Sequence, residues 1–274
     1  FSILWAAATG VAFAATYLAK TTNIPLLMAA AVFSVLKVYL DLRNGRLQKP
    51  LPNLAAFLSC AALPILAWMT WCKSNYGDCT GSKIKIEYLG WTLKAFGDWW
   101  HHPIFTPAGL WTYLSGQLGT FWQGEFCWHD KPMALPFSNN IYSILSLLLP
   151  AAILPVLVRA SPVAHSSQRF ALLLSLASCI AGLGFFALMS VVYDFHDCSN
   201  PSRGHPYFQA GRMILGVLIP FLLCFVYGLD RILDRFGDTA KFIVLATLIF
   251  VMVGTEISSD LPVFSNGYNW FHLP

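Results

Sequence analysis

Residues 170–192 read FALLLSLASCIAGLGFFALMSVV, twenty-three consecutive positions without a charged side chain. A helix needs about 20 mostly apolar residues to cross the hydrocarbon core of a bilayer, so this stretch predicts a membrane span. Outward from it, six more stretches have the same character: roughly 1–19, 24–40, 52–72, 138–158, 212–229 and 241–258. The second is the weakest, with Pro25 at its start and Lys37 near its end, and a re-entrant pair with the first is its alternative. Composition points the same way. Hydrophobic residues make up 57% of the chain and charged residues 11%, against about 25% charged in soluble domains. The mean hydropathy is +0.59. A net charge of +4 gives no reason to expect a nucleic-acid partner. The expected fold is all-α, a polytopic bundle of about seven spans forming a single membrane domain over 1–274. The chain opens at Phe1 inside an apolar run, without the charged flank of a signal peptide, and reads as an N-terminally truncated piece of a longer protein.

Lysine and arginine in short loops set orientation. Arg43, Arg46, Lys49, Arg159, Arg169, Arg231 and Arg235 lie in the connections 41–51, 159–169 and 230–240, with Lys37 and Lys241 at their borders. The opposite connections, 20–23, 193–211 and the tail after 258, hold Lys20 and Arg203, with Arg212 at a border. The first set is therefore expected in the cytoplasm. Segment 73–137, residues 193–211 and the C-terminus are expected outside the cell inner membrane.

The long segment 73–137 is expected to carry surface helices. Ile86, Leu89, Leu93, Phe96 and Trp100 recur at helical spacing, and Leu110, Trp111, Leu114, Leu118, Phe121 and Trp122 form a second stripe that starts beside Pro107. Two placements fit these stripes: the membrane interface, where Trp is enriched, or packing on the protein's own helices. Pro64, Pro150, Pro155 and Pro220 fall inside spans, where kinks are tolerated.

Cys72, Cys79, Cys127 and Cys198 all fall on the expected outer side. Disulfides persist in oxidising compartments, which suggests a Cys72–Cys79 bridge around 75–77 and a Cys127–Cys198 tie, with free thiols as the alternative. Six of the seven histidines are also outside: His101, His102, His129, His196, His205 and His272. Together with Glu125, Asp130, Asp194 and Asp197 they supply the ligand types a divalent metal would need, although no signature such as H-E-x-x-H is present. Asp194, Asp197, Glu125 and Asp130 are the candidates for a general base, since a carboxylate can take a proton from an acceptor hydroxyl.

The densest polar stretch is 193–212, YDFHDCSNPSRGHPYFQAGR. Arg212 at its end is expected in the first turn of a span, where unpaired N–H groups and a guanidinium together would hold an anion. Snorkelling to headgroups, or pairing with Asp194 or Asp197, is the alternative. Trp99, Trp100, Trp122, Trp128 and Tyr207 are external aromatics that suit either the lipid interface or sugar rings.

Residues 205–212, HPYFQAGR, followed by an apolar run with Pro220 and by YGLD at 227–230, resemble the C-terminal part of a bacterial family of multi-spanning membrane proteins of unknown function, related to the GT-C class of glycosyltransferases. The match covers roughly 200–260. The resemblance implies transfer of a sugar from a polyprenyl-phosphate carrier to a glycan or lipid acceptor on the outer face, in envelope glycan assembly. The family's main catalytic Asp would fall before Phe1. Arg212, Arg203, His205, Tyr207 and Gln209 are the candidate carrier contacts. Two other readings stand beside this one: a lipid or sugar transporter or flippase, which needs ionisable groups inside spans, and a non-catalytic envelope assembly protein.

Overall fold

The long apolar runs become long helices, because a chain in hydrocarbon must satisfy its backbone polar groups internally. The structure, a computed structural model, describes residues 3–43, 45, 50–125, 127–128, 131–132, 135–158, 166–198 and 201–267. Its helices are α1 (Ile3–Ala19), α2 (Ile24–Arg43), α3 (Pro50–Tyr76), α4 (Lys83–Tyr88), α5 (Pro107–Gln123), α6 (Pro136–Ala151), α7 (Leu154–Val158), α8 (Ser166–Val192), α9 (Leu218–Leu233) and α10 (Asp238–Phe264). The strands, β1 (Thr92–Leu93), β2 (Cys127–Trp128), β3 (Lys131–Pro132) and β4 (Tyr193–Asp194), are two residues each and pair as β1–β4 and β2–β3. The protein is all-α.

Among the described residues, five helical stretches are long and apolar enough to cross a membrane: Thr21–Leu40, Pro52–Tyr76, Gln168–Val192, Leu215–Phe236 and Asp238–Phe264. The hydropathy reading expects about seven. Of the other two, α1 has 17 residues and the run 138–158 is divided, with α6 ending at Ala151 after 16 residues. Pro155 contributes to the break, since it has no N–H to offer the Ala151 carbonyl. At 1.5 Å per residue, α6 alone spans about 24 Å, short of a hydrocarbon core of about 30 Å.

The chain divides into two compact units, Phe1–His102 with Ala177–Tyr207, and Pro103–Leu176 with Phe208–Pro274. In the first, α1 packs on α3 through a face of small residues. Ala6, Gly10, Ala14 and Tyr17 are buried at helical spacing, and a Cβ on Gly10 would lie 2.5 Å from the Phe57 carbonyl oxygen. Small residues let helix backbones approach closely, which is how helices associate where lipid removes the hydrophobic drive.

In the second unit, α5, α6 and α9 pack together. Thr106 caps α5, accepting from the Gly109 N–H at 3.0 Å, with Pro107 in the first turn. Tyr113, Gln117 and Leu118 are buried, so one face of α5 packs on its own protein, while Leu110 and Trp111 at the start of the second stripe are exposed. Trp122 stacks on Tyr142, meets Phe221 edge-on, and donates to Ser146 Oγ at 2.8 Å. Ile153, Leu157, Leu172 and Cys224 form a buried cluster in the same unit.

The first stripe is not one helix. α4 ends at Tyr88, Gly90 takes a positive φ of 67°, and the chain then runs through β1 into a 3-10 turn over Phe96–His101. Thr92 and Leu93 leave the helical pattern to pair with Asp194 and Tyr193, a long-range partner that local periodicity does not encode.

Candidate functional site

Residues of the expected outer-side chemistry meet in two polar clusters among the described residues, one within each unit. In the first unit it is built on the β1–β4 pair, which sets Thr92 opposite Asp194 and is extended by the Lys94 N–H donating to the Val192 carbonyl at 2.9 Å. Asp194 accepts the His196 backbone N–H at 3.0 Å, and Arg203 grips the same carboxylate, Nη2 to Oδ2 at 3.2 Å. Arg203 Nη2 also donates to His196 Nδ1 at 2.7 Å, while His196 Nε2 lies 2.7 Å from Thr92 Oγ1. A guanidinium has no acceptor, so Nδ1 must offer its lone pair. The neutral tautomer with the proton on Nε2, directed at Thr92, is therefore assigned. His196 sits at φ 47°, a conformation the local hydrogen bonds hold in place.

The His196 N–H, and after it Arg203, holds the Asp194 carboxyl below the usual carboxylate range. A depressed folded value stabilises the closed loop above the ordinary carboxylate pKa of about 3.9, and that contribution is lost as pH falls through the folded value. Amide protection in 193–198 and 201–205, taken relative to the intrinsic exchange rate at each pH, is expected to be high at neutral pH and to fall only in acid below that range. In Asp194→Asn it should already be low at neutral pH and show no acid step.

Beside this cluster, burial pushes the Lys94 ammonium down, partly offset by Asp194 and Asp98. His102 is buried, 3.0 Å from the Pro206 carbonyl through Nε2 and edge-on to Tyr207. Burial lowers its pKa. Tyr207 is likewise buried, with the His205 ring edge-on to it at 5.0 Å between ring centres, and burial pushes its phenol up. Its ring thus packs against two imidazoles. His205 is exposed, and its backbone N–H donates to Ser202 Oγ at 3.1 Å. Asp197 is exposed and has no ion pair or hydrogen bond among the described residues.

In the second unit the segment 209–212 lies as a strap along α5. The Gln209 amide donates to the carbonyls of Thr112 and Tyr113. Buried Gln117 donates to the Ala210 carbonyl at 3.1 Å, and the Gly211 N–H donates to Thr120 Oγ1 at 2.9 Å. The strap ends at Arg212, whose N–H donates to Glu125 Oε1 and whose Nε faces Oε2, each at 3.3 Å. Gln209 thus holds the backbone of α5. Gln117 and Thr120, absent from the sequence reading, give the QAGR segment its place; their spacing of three along α5 toward Glu125 was the signal available.

Arg212 is also corrected in position and partner. α9 starts at Leu218, after 3-10 turns at Gly211–Met213 and Leu215–Val217. The N–H groups of Met213 and Ile214 are taken by the Ala210 and Gly211 carbonyls, as those of Gly211 and Arg212 are by side chains. No open helix N-terminus remains there to hold an anion. Its carboxylate partner is Glu125, while Asp194 is engaged by Arg203.

Cys72 and Cys79 stand as free thiols, Cys72 buried and Cys79 exposed, so the expected bridge between them is not formed. The side chain of Cys127, and with it the pairing to Cys198, lies outside the described residues, as do Asp130, His129, His272 and the Trp128 side chain. Among the described residues no three His, Cys, Asp or Glu side chains converge as a metal site.

These features define a class: an all-α integral membrane protein with apolar spanning helices and polar clusters on the segments between them. Comparison of the chain with protein-family models, curated proteins and solved structures finds no match.

Proposed function

We propose that this protein is a GT-C-like glycosyltransferase of the cell inner membrane, moving a sugar from a polyprenyl-phosphate carrier to a glycan or lipid acceptor on the extracytoplasmic side. The observation that carries this reading is the Arg212–Glu125 contact. The residue nominated for carrier phosphate and a residue nominated as base meet at the end of a strap anchored to α5. The guanidinium is 69% exposed, so a ligand can reach it.

A carrier phosphate competes for Arg212 with a single carboxylate and offers more oxygens, in the bidentate geometry guanidinium favours. Displaced from Arg212, Glu125 accepts the proton of the acceptor hydroxyl. That oxygen bonds the anomeric carbon as the bond from this carbon to the phosphate oxygen breaks, and the phosphate leaves carrying the electron pair, held by Arg212. No metal is needed to balance this step.

The test is sugar transfer from radiolabelled polyprenyl-phosphate sugar by the full protein in liposomes. A charge-assisted hydrogen bond contributes about 1.5–3 kcal/mol, so Arg212→Ala should lower kcat/KM by roughly 10- to 100-fold, chiefly by raising KM. Glu125→Gln should retain carrier affinity and lose kcat. Wild-type activity in Arg212→Ala removes the phosphate role.

A further inference from the structure

The geometry points to residues 83–100 as an interfacial lipid-docking element, seated in the headgroup layer of the same bilayer the spanning helices cross. This goes beyond the proposed reaction and stands without it. Tyr88 is 88% exposed, Leu93 69%, Phe96 67% and Trp100 64%, on a stretch with no helix longer than six residues. Large apolar side chains exposed together mark an interaction surface, and this stretch is too short to span.

What covers it follows from its continuity with a span. One face of α3 meets α1, and few residues of its apolar window are fully buried, so the rest of the helix faces lipid. Its last turns carry Trp68 stacked on Trp71, and Trp71 edge-on to Tyr76, the aromatic composition of a membrane–water boundary. The chain does not leave this boundary. Gly77 and Gly81 take positive φ, the Asp78 carboxylate accepts the N–H groups of Thr80 and Ser82, and a Cβ on Gly81 would lie 3.3 Å from the Tyr76 ring. α4 therefore begins beside Tyr76, at the rim of the bilayer.

Charge gives an anionic surface little hold. Lys83 is paired with Glu87 at 3.8 Å, Lys94 is partly buried and stands near Asp194 and Asp98, and Lys85 is the exposed cation left in this stretch without an ion pair among the described residues. Aromatic burial, not Coulomb attraction, drives the docking, so it should persist in high salt.

The test uses the full chain with Cys79→Ser, reconstituted in phosphatidylcholine vesicles. Phe96→Cys and Tyr88→Cys are labelled with an environment-sensitive fluorophore and the parent signal is subtracted; Lys85→Cys serves as the aqueous control. Iodide quenching at 88 and 96 should be clearly lower than at 85, as for aromatic positions seated at the membrane interface. Nitroxide lipids labelled near the glycerol should quench 88 and 96 more than those labelled at the chain end. Iodide access equal to position 85 overturns the proposal. So does protection without nitroxide quenching, which would mean that a second protein copy covers the face.

Discussion

Replacing Gly228 by alanine is expected to lower this protein's stability by about 3 kcal/mol. A Cβ there would overlap the Leu149 carbonyl oxygen and lie 2.6 Å from its carbon. Both are backbone atoms of α6, and neither can swing aside as a side-chain end would. Overpacking of a core costs about 1–3 kcal/mol when side chains yield, and here α6 and α9 must separate bodily. The separation would also open the cluster of Ile153, Leu157, Leu172 and Cys224, which α9 helps to build. A loss of about 3 kcal/mol lowers Tm by roughly 6–12 °C in a chain of this size. Thermal melts followed by size-exclusion chromatography in detergent measure it. At Gly184 and Gly254 an added methyl would meet nothing within 4 Å, so Gly184→Ala and Gly254→Ala should melt at or slightly above wild type. A Gly228→Ala melt matching those two controls would mean that α6 and α9 do not approach so closely.

The second large effect is expected at Gly211. A Cβ there would overlap the Phe121 nitrogen and the Thr120 carbonyl carbon. Gly211→Ala therefore lifts the strap from α5, breaking the bond to Thr120 and freeing Glu125 from Arg212. Because α9 begins only at Leu218, the helix core can survive the change. Amide protection over 210–214 should fall by at least an order of magnitude, equivalent to about 1.4 kcal/mol. Sugar transfer should fall at least as far as in Arg212→Ala. Thr120→Val removes one hydrogen bond without a clash and should cost about 1 kcal/mol. Equal protection in Gly211→Ala and wild type would show that the strap is not seated as described.

The two glycines also show where sequence reading stops. Gly211 is legible as a position allowing close approach, yet what approaches it, α5 at Thr120 and Phe121, is about ninety residues away in the chain. Arg212 reads as a cation at a polar–apolar boundary, which it is. Its partner could not be read, since Asp194, Asp197 and Glu125 are equivalent in type and proximity in sequence favours the wrong ones. Arg203 takes Asp194 because β1 pairs with β4 and brings Thr92, His196 and Arg203 around that carboxylate. The stripe from Ile86 to Trp100 has helical spacing, but Gly90 and the pairing of Thr92 and Leu93 override it.

By itself, the sequence determined that this is an α-helical membrane protein, where most of its long helices lie, and that its polar chemistry gathers between 73–137 and 193–212. Those are consequences of local composition, because every twenty-residue window answers to lipid or water on its own. Only the tertiary structure decided which carboxylates Arg203 and Arg212 meet, and that Tyr207 packs on two imidazoles while the Gln209 amide holds carbonyls of α5. Such outcomes depend on segments far apart in the chain competing for the same hydrogen bonds and space, and that competition is settled only once the chain is closed.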